Sequence, residues 1–413
     1  MLQASPAPAP GGPPRPSTRR GPRLLRLAGP GAIVAVAYVD PGNVATNVEA
    51  GARFGPALLW VVGLAALAGM LVQHLAAKLG AATGRSLPEL CRERYPQPVV
   101  RLLWAQAEVV AMATDLAEIV GGAIALHLLL GVPLLAGALV TAAVGVLVLG
   151  LRPDGRRHLA TAFAIMLLAL VAAFAVQAAQ VGVTAADVAT GLVPGLAADG
   201  AGGVDPRAVL LATGIVGATV MPHVVYLHSA LTRDAAVRPR RHRRDVVVSL
   251  SVAAVVNMAV LLVAAAALHV PGTEPLADTI EGAYAVLGRH GGAATLFAGA
   301  LLVAALASAC TGVHAGDAIM TGFLRRRIPI VLRRAVTVVP ALVVLTFPVD
   351  PTRALVISQV VLAVGLPFAL VPLLHLTADH TLMGRHVNRR STTVAGGVVA
   401  ATVSALAVSL LVA

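Results

Sequence analysis

Residues 35–51 read AVAYVDPGNVATNVEAG, and Asp40, Pro41, Gly42 and Asn43 interrupt what is otherwise an apolar segment. Proline removes a backbone donor and clashes with the preceding turn, and glycine loosens the next one, so a helix running through this stretch breaks here. If the stretch lies in hydrocarbon, the break leaves carbonyls unpaired, which is tolerated only where they line a cavity or meet a ligand. An aspartate at the same depth costs about 2.5–3.5 kcal/mol on insertion scales and needs a partner. A cation would be one.

Composition places the stretch in a membrane. Of the 413 residues 58% are hydrophobic and only 12% charged, with a mean hydropathy of +0.85, whereas soluble domains carry about 25% charged residues. Apolar spans fall near 24–46, 56–80, 102–130, 133–150, 158–181, 208–232, 246–270, 293–322, 329–348, 353–376 and 392–413. The reading is an all-α polytopic membrane protein of eleven transmembrane helices. The chain carries a net charge of +12. With the N-terminus inside, every basic residue except Arg53, Arg207, Arg289 and Arg353 falls on the cytoplasmic side, including the run from Arg238 to Arg244. That distribution reads as membrane topology and gives no reason to expect nucleic acid as a partner. The C-terminus is then expected outside, in the cell membrane.

Residues 1–22, rich in Ala, Pro and Gly, read as a disordered cytoplasmic tail. Ala35-Val36-Ala37 after Arg19 and Arg20 imitates a signal-peptide cleavage site, but cleavage there would remove the broken helix. Cys91, expected in a cytoplasmic loop, and Cys310, expected in a helix, suggest neither a disulfide framework nor a metal pair.

The sixth span, LLATGIVGATVMPHVVYLHSA at 210–230, repeats the interruption with Met221, Pro222 and His223 at its middle. Broken helices opening two successive sets of five spans point to an inverted repeat with a substrate site at the bilayer midplane. The repeats are expected at about 24–181 and 208–376, with an added helix at about 392–413, all within one membrane domain from 23 to 413. On the third span, Asp115 and Glu118 share a helix face and Glu108 lies lower on it. Intramembrane carboxylates face the bundle interior and often relay protons. Arg333 and Arg334, at the start of the ninth span, are candidate partners, and a static ion pair is the alternative. His223 sits next to the second break and could respond to protons or tune a gate, with His228 five residues on. His74 and His375 read as packing residues.

DPGN at 40–43, GATVMPHVVYLHSAL at 217–231 and ATDLAEIVGGAIAL at 113–126, in this order and on these spans, resemble the natural resistance-associated macrophage protein family, specifically its bacterial proton-dependent manganese transporters. The resemblance runs from about residue 27 to the end. It implies a LeuT-like fold with an inverted repeat of five plus five helices, and import of divalent transition metals together with protons. It also implies that the carbonyls of Ala37 and Ala218 and the side chain of Gln359 complete a metal shell in different conformations, and it supports the pairing of Arg333 and Arg334 with the carboxylates.

The local chemistry agrees. Asp40 offers a charged oxygen, Asn43 a neutral one and Met221 a thioether, a soft donor that favours manganese or iron over calcium or magnesium. Asp40 would serve both metal and proton. Methionine is also a common gap-filler, but Met221 stands beside a proline break and is paired in the pattern with an intramembrane aspartate. In SACTGVHAGDAIM at 308–320, Asp317 stands where the family usually has a glutamine, and His314 is also unusual.

Other classes fit less well. No HExxH-type set or catalytic Ser–His or Cys–His arrangement suggests an enzyme. A symporter of a small organic substrate could share the architecture, yet an anionic substrate would repel Asp40. A sensor would need a soluble output domain, and none is expected after helix eleven. A channel stays open. No cofactor and no obligatory protein partner are expected; the metal ion is cargo, the proton a co-substrate, and the lipid bilayer the surroundings.

Overall fold

The computed structural model describes residues 29–150, 156–196, 203–234, 239–270, 279–326, 329–347 and 350–412, and among them it is helical with no β-strand. The expected tail at 1–22 lies outside the described residues. The first interruption separates α1 (Pro30–Ala37) from α2 (Pro41–Phe54), and α3 (Leu59–Thr83), α4 (Leu87–Arg94), α5 (Gln97–Leu130), α6 (Leu134–Gly150), α7 (Arg156–Val181) and α8 (Ala185–Gly191) come next. The second interruption separates α9 (Pro206–Thr219) from α10 (Pro222–Thr232). Then come α11 (Pro239–Leu268), α12 (Ile280–Leu287), α13 (Ala293–Leu324), α14 (Ile330–Thr346), α15 (Pro351–Ala378), α16 (His380–Met383) and α17 (Arg390–Val412).

Among the described residues, eight helical stretches are long and apolar enough to cross a membrane. The eleven expected spans are not all separate by that measure: α2 and α3 run on as one stretch through a 3-10 turn at Gly55–Leu58. Helices α6 and α14 have 17 residues each, and α1 has 8. Several boundaries differ from expectation, and α2 runs to Phe54 where the first span is expected to end near 46. Helix α5 begins at Gln97 rather than near 102. Helix α11 begins at Pro239 rather than near 246, so Arg240, Arg241, Arg243 and Arg244, expected in a loop, form its opening turns; Arg238 is outside the described residues. The segment holding Cys91, also expected to be a loop, folds as α4. Ser86 and Glu89 close a capping box at its start, a pattern that satisfies two orphan N–H groups reciprocally. Burial on this helix pushes the Cys91 thiol up to about 12.

The two broken helices sit at the centre. The stretch formed by α9 and α10 has 83% of its apolar window buried, against 22% for α17, so the polar interruption is enclosed by other helices while α17 presents its sides outward. Helices α5, α11, α13 and α15 form the enclosure, α13 and α15 against α5, α11 against α2, and α15 against α9. Small residues at these contacts, such as Ala107, Ala117, Ala253, Ala304 and Ala363, are buried, and small side chains let helix backbones approach closely in lipid. Exposed Leu64, Leu67, Leu130, Leu139 and Val371 lie on the outer faces.

Candidate functional site

At the first break, Tyr38 and Val39 tighten the end of α1 by donating to the carbonyls of Ala35 and Val36 at 3.2 and 3.1 Å. The chain then turns extended at Asp40, and Pro41 opens α2. Asp40 caps that helix: one carboxylate oxygen accepts from the Asn43 N–H at 2.8 Å, the usual use of an aspartate ahead of a proline-led first turn. Its second oxygen, Oδ2, is buried without a hydrogen-bond partner.

At the second break α9 ends at Thr219, and Val220 and Met221 carry the chain to Pro222, the first residue of α10. The two interruptions meet: Asn43 Nδ2 donates to the carbonyl of Ala218 at 2.8 Å. Gln359 of α15 reaches the same place. A Cβ on Gly42 would coincide with the Gln359 amide, so glycine is what lets that amide lie against the opening turn of α2. Gln359 Nε2 donates to Ser358 Oγ at 2.9 Å, while its Oε1 has no partner. Asp40, Asn43, Met221, Gln359, Ala37 and Ala218 are all buried.

The structure thus gathers Asp40, Asn43, Ala218 and Gln359 about the two breaks, with Ala37 as the last residue of α1 and Met221 leading into α10. The C-terminal ends of α1 and α9 both terminate here, and helix C-termini carry partial negative charge. Together with one carboxylate, neutral oxygens and a thioether, the surroundings suit a cation. Among the described residues no three His, Cys, Asp or Glu side chains converge as a metal-holding group, so a cation here would be held by a mixed set.

Sequence reasoning missed the residue that holds the first break open. Asn257 of α11 donates through Nδ2 to the Tyr38 carbonyl at 2.7 Å and accepts from Asn47 Nδ2 at 3.2 Å. It pairs a backbone group that the lost helical turn would leave orphaned. A lone buried asparagine in the apolar run of the seventh span was the available signal.

The carboxylates of α5 do meet the arginines of α14. Arg334 Nη1 lies 2.5 Å from Asp115 Oδ1 and 3.6 Å from Glu118 Oε2, and Arg333 lies 3.6 Å from Glu108 Oε2. Glu118 also accepts from Ser308 Oγ at 2.9 Å, a contact sequence reasoning did not anticipate. Thr114, one residue before Asp115, sits with its Oγ1 3.3 Å from His223 Nδ1. His223 stands directly after Pro222 at the start of α10, so α5 touches both the ion pairs and the second break. The Nε2 of His223 is buried without a partner. His228 turns away to Gln73 at 2.9 Å, and His375 meets Tyr95 at 2.7 Å. His74 is left with its Nδ1 buried and unpartnered, so packing alone does not satisfy it.

An all-helical, multi-pass bundle with paired broken helices enclosing a buried polar site belongs to the class of membrane transporters. Residues 31–413 match the family described as natural resistance-associated macrophage protein-like. Curated relatives called divalent metal cation transporter MntH include those of Deinococcus radiodurans, 46% identical over 394 residues covering 93% of this chain and 89% of the relative, and of Chromohalobacter salexigens, 46% identical over 396 residues covering 93% and 90%. A solved structure of the Eremococcus coleocola manganese transporter superposes with a TM-score of 0.83 at 32% identity, covering 93% of this chain and 85% of that one. The nucleobase-cation-symport-1 family transporter Mhp1 superposes at 0.53 with 15% identity over 92% of each chain, which shows a shared LeuT-like fold alone. The chain belongs to the natural resistance-associated macrophage protein-like family, and it is a transporter rather than an enzyme.

Proposed function

We propose that this chain imports divalent transition-metal ions, manganese first among them, together with protons across the cell membrane. Iron, cadmium, cobalt and zinc are further candidate substrates. The observation that carries the proposal is the buried meeting of the two helix breaks, where Asp40 Oδ2 and Gln359 Oε1 are left without partners beside the Asn43–Ala218 contact. The names of the relatives, divalent metal cation and manganese transporters, support the substrate class.

In this reading Asp40 supplies the charged ligand, Asn43 and Gln359 neutral oxygens, the carbonyls of Ala37 and Ala218 further oxygens, and Met221 the soft donor that disfavours calcium and magnesium. The Asn43 amide engages one lone pair of the Ala218 carbonyl, and the second is available to a metal ion. Protons leave the site by the polar face of α5. Asp40 and His223 stand at the site end, and Asp115, Glu118, Glu108, Arg333 and Arg334 form the ladder below. The division into repeats at about 24–181 and 208–376, with 392–413 added, accompanies the proposal, as do a cytoplasmic N-terminus and an external C-terminus.

Uptake into proteoliposomes of manganese, iron, cadmium, magnesium and calcium, with internal pH recorded together, tests it. Saturable manganese and cadmium uptake with internal acidification is expected, and calcium and magnesium should be poor substrates. Non-saturating flux without proton movement would favour a channel. Failure of every metal alongside transport of an organic solute would favour a symporter of the same fold.

A further inference from the structure

The ladder of carboxylates becomes more accessible step by step along its length. Glu118 is 0% exposed, Asp115 7% and Glu108 18%, while their partners Arg334 and Arg333 are 3% and 13% exposed. A cleft opens beside the middle of this ladder, and Asp115, Arg333, Arg334, Met320 and Asp317 are among its walls. Asp317 is exposed, is the sole acidic residue of α13, and has no ion-pair partner among the described residues.

Its placement is set by its neighbour. A Cβ on Gly316 would overlap the Arg333 guanidinium, so that guanidinium lies against the backbone of α13 immediately before Asp317. Several other ionisable groups on the helices packed around this stretch are engaged elsewhere, and Arg101 of α5 and Arg325 at the end of α13 are the further cations on these two helices. His314 holds the Cys310 carbonyl at 2.7 Å, Arg92 of α4 reaches the carbonyls of Thr321 and Gly322, and Glu89 pairs with Arg233 at 3.3 Å. On α10, His223 faces Thr114 and His228 faces Gln73. Arg333 and Arg334 line the cleft together with two carboxyl groups, Asp115 and Asp317, and Arg334 is the one that Asp115 engages.

We infer that Asp317 is the mouth-side proton acceptor of the ladder, taking the proton that Asp115 gives up and passing it to solvent. The step balances without any further reactant. The proton leaves an Asp115 carboxyl oxygen and crosses the cleft, and Asp115 regains the charge that pairs it with Arg334. Asp317 becomes neutral until it releases the same proton to water.

The inference rests on the proton-coupling reading, and the experiment separates the two. Wild type, Asp317→Asn, Asp317→Gln and Asp317→Glu are reconstituted in vesicles of low internal buffering, and metal-driven acidification and manganese affinity are measured on each. If Asp317 accepts the proton, both amide variants lose acidification by about tenfold or more, in line with the loss of a positioned proton-transfer group, while manganese affinity holds. Asp317→Glu keeps most of the acidification. Equal acidification by wild type and both amides overturns the assignment of Asp317 and leaves the coupling reading standing. Metal uptake by wild type without acidification overturns both.

Discussion

Asn43 and Ala218, 175 positions apart in the chain, are joined by a 2.8 Å hydrogen bond from the Asn43 amide to the Ala218 carbonyl, and that bond ties the two helix breaks into one site. Each break alone would expose backbone that hydrocarbon cannot solvate. Brought together, with Asn257 serving the Tyr38 carbonyl, they satisfy part of that need and leave the free oxygens of Asp40 and Gln359 for a ligand.

Replacing Asp40 with alanine should abolish transport of every divalent metal while the protein still inserts. The substitution removes the one carboxylate at the breaks and the cap of α2, and losing a cap costs only about 1 kcal/mol. Substantial saturable manganese uptake by well-folded Asp40→Ala protein would remove Asp40 from the site.

Met221→Ala should change selectivity more than stability. Without the thioether, water and the oxygen donors remain, so calcium should begin to compete with manganese, and cadmium uptake should suffer most. Competition assays decide it: if calcium still fails to inhibit manganese uptake, the thioether is not the selective element.

Asp115→Asn keeps the size of the side chain but cannot carry charge. As part of a relay it should bind manganese at near-normal affinity yet lose metal-driven proton influx and the dependence of uptake on external pH. A purely structural pair predicts a different pattern. Arg334 would keep only Glu118 at 3.6 Å, and breaking a buried pair costs about 3–5 kcal/mol, so folded yield and affinity should fall together. Yield, affinity and proton flux measured on one preparation distinguish the two.

Gly42→Ala should impair uptake through Gln359. The added methyl group would occupy the space of the Gln359 amide, and overpacking of this kind costs about 1–3 kcal/mol. Adding Gln359→Ala should restore the thermal stability without restoring transport. A Gly42→Ala protein that melts and transports like wild type would mean that Gln359 does not need to lie there.

The breaks were legible in the sequence because they are local violations: an aspartate, prolines and glycine in an apolar run can be read without knowing any neighbour. The same holds for α4, whose Ser86–Glu89 capping box is a local signal in a segment whose polarity otherwise reads as a loop. The shared helix face of Asp115 and Glu118 was also given by spacing alone.

Tertiary structure decided which groups meet. Either arginine could have served the α5 carboxylates; the packing of α14 gives Arg334 to Asp115 and Glu118 and Arg333 to Glu108. Asn257 and Tyr38 are 219 positions apart, as are Arg334 and Asp115. Helix periodicity describes one helix at a time. The partners of its buried polar groups depend on how helices distant in sequence are rotated and crossed, and that is settled only when the bundle closes and every buried donor and charge must find its counterpart.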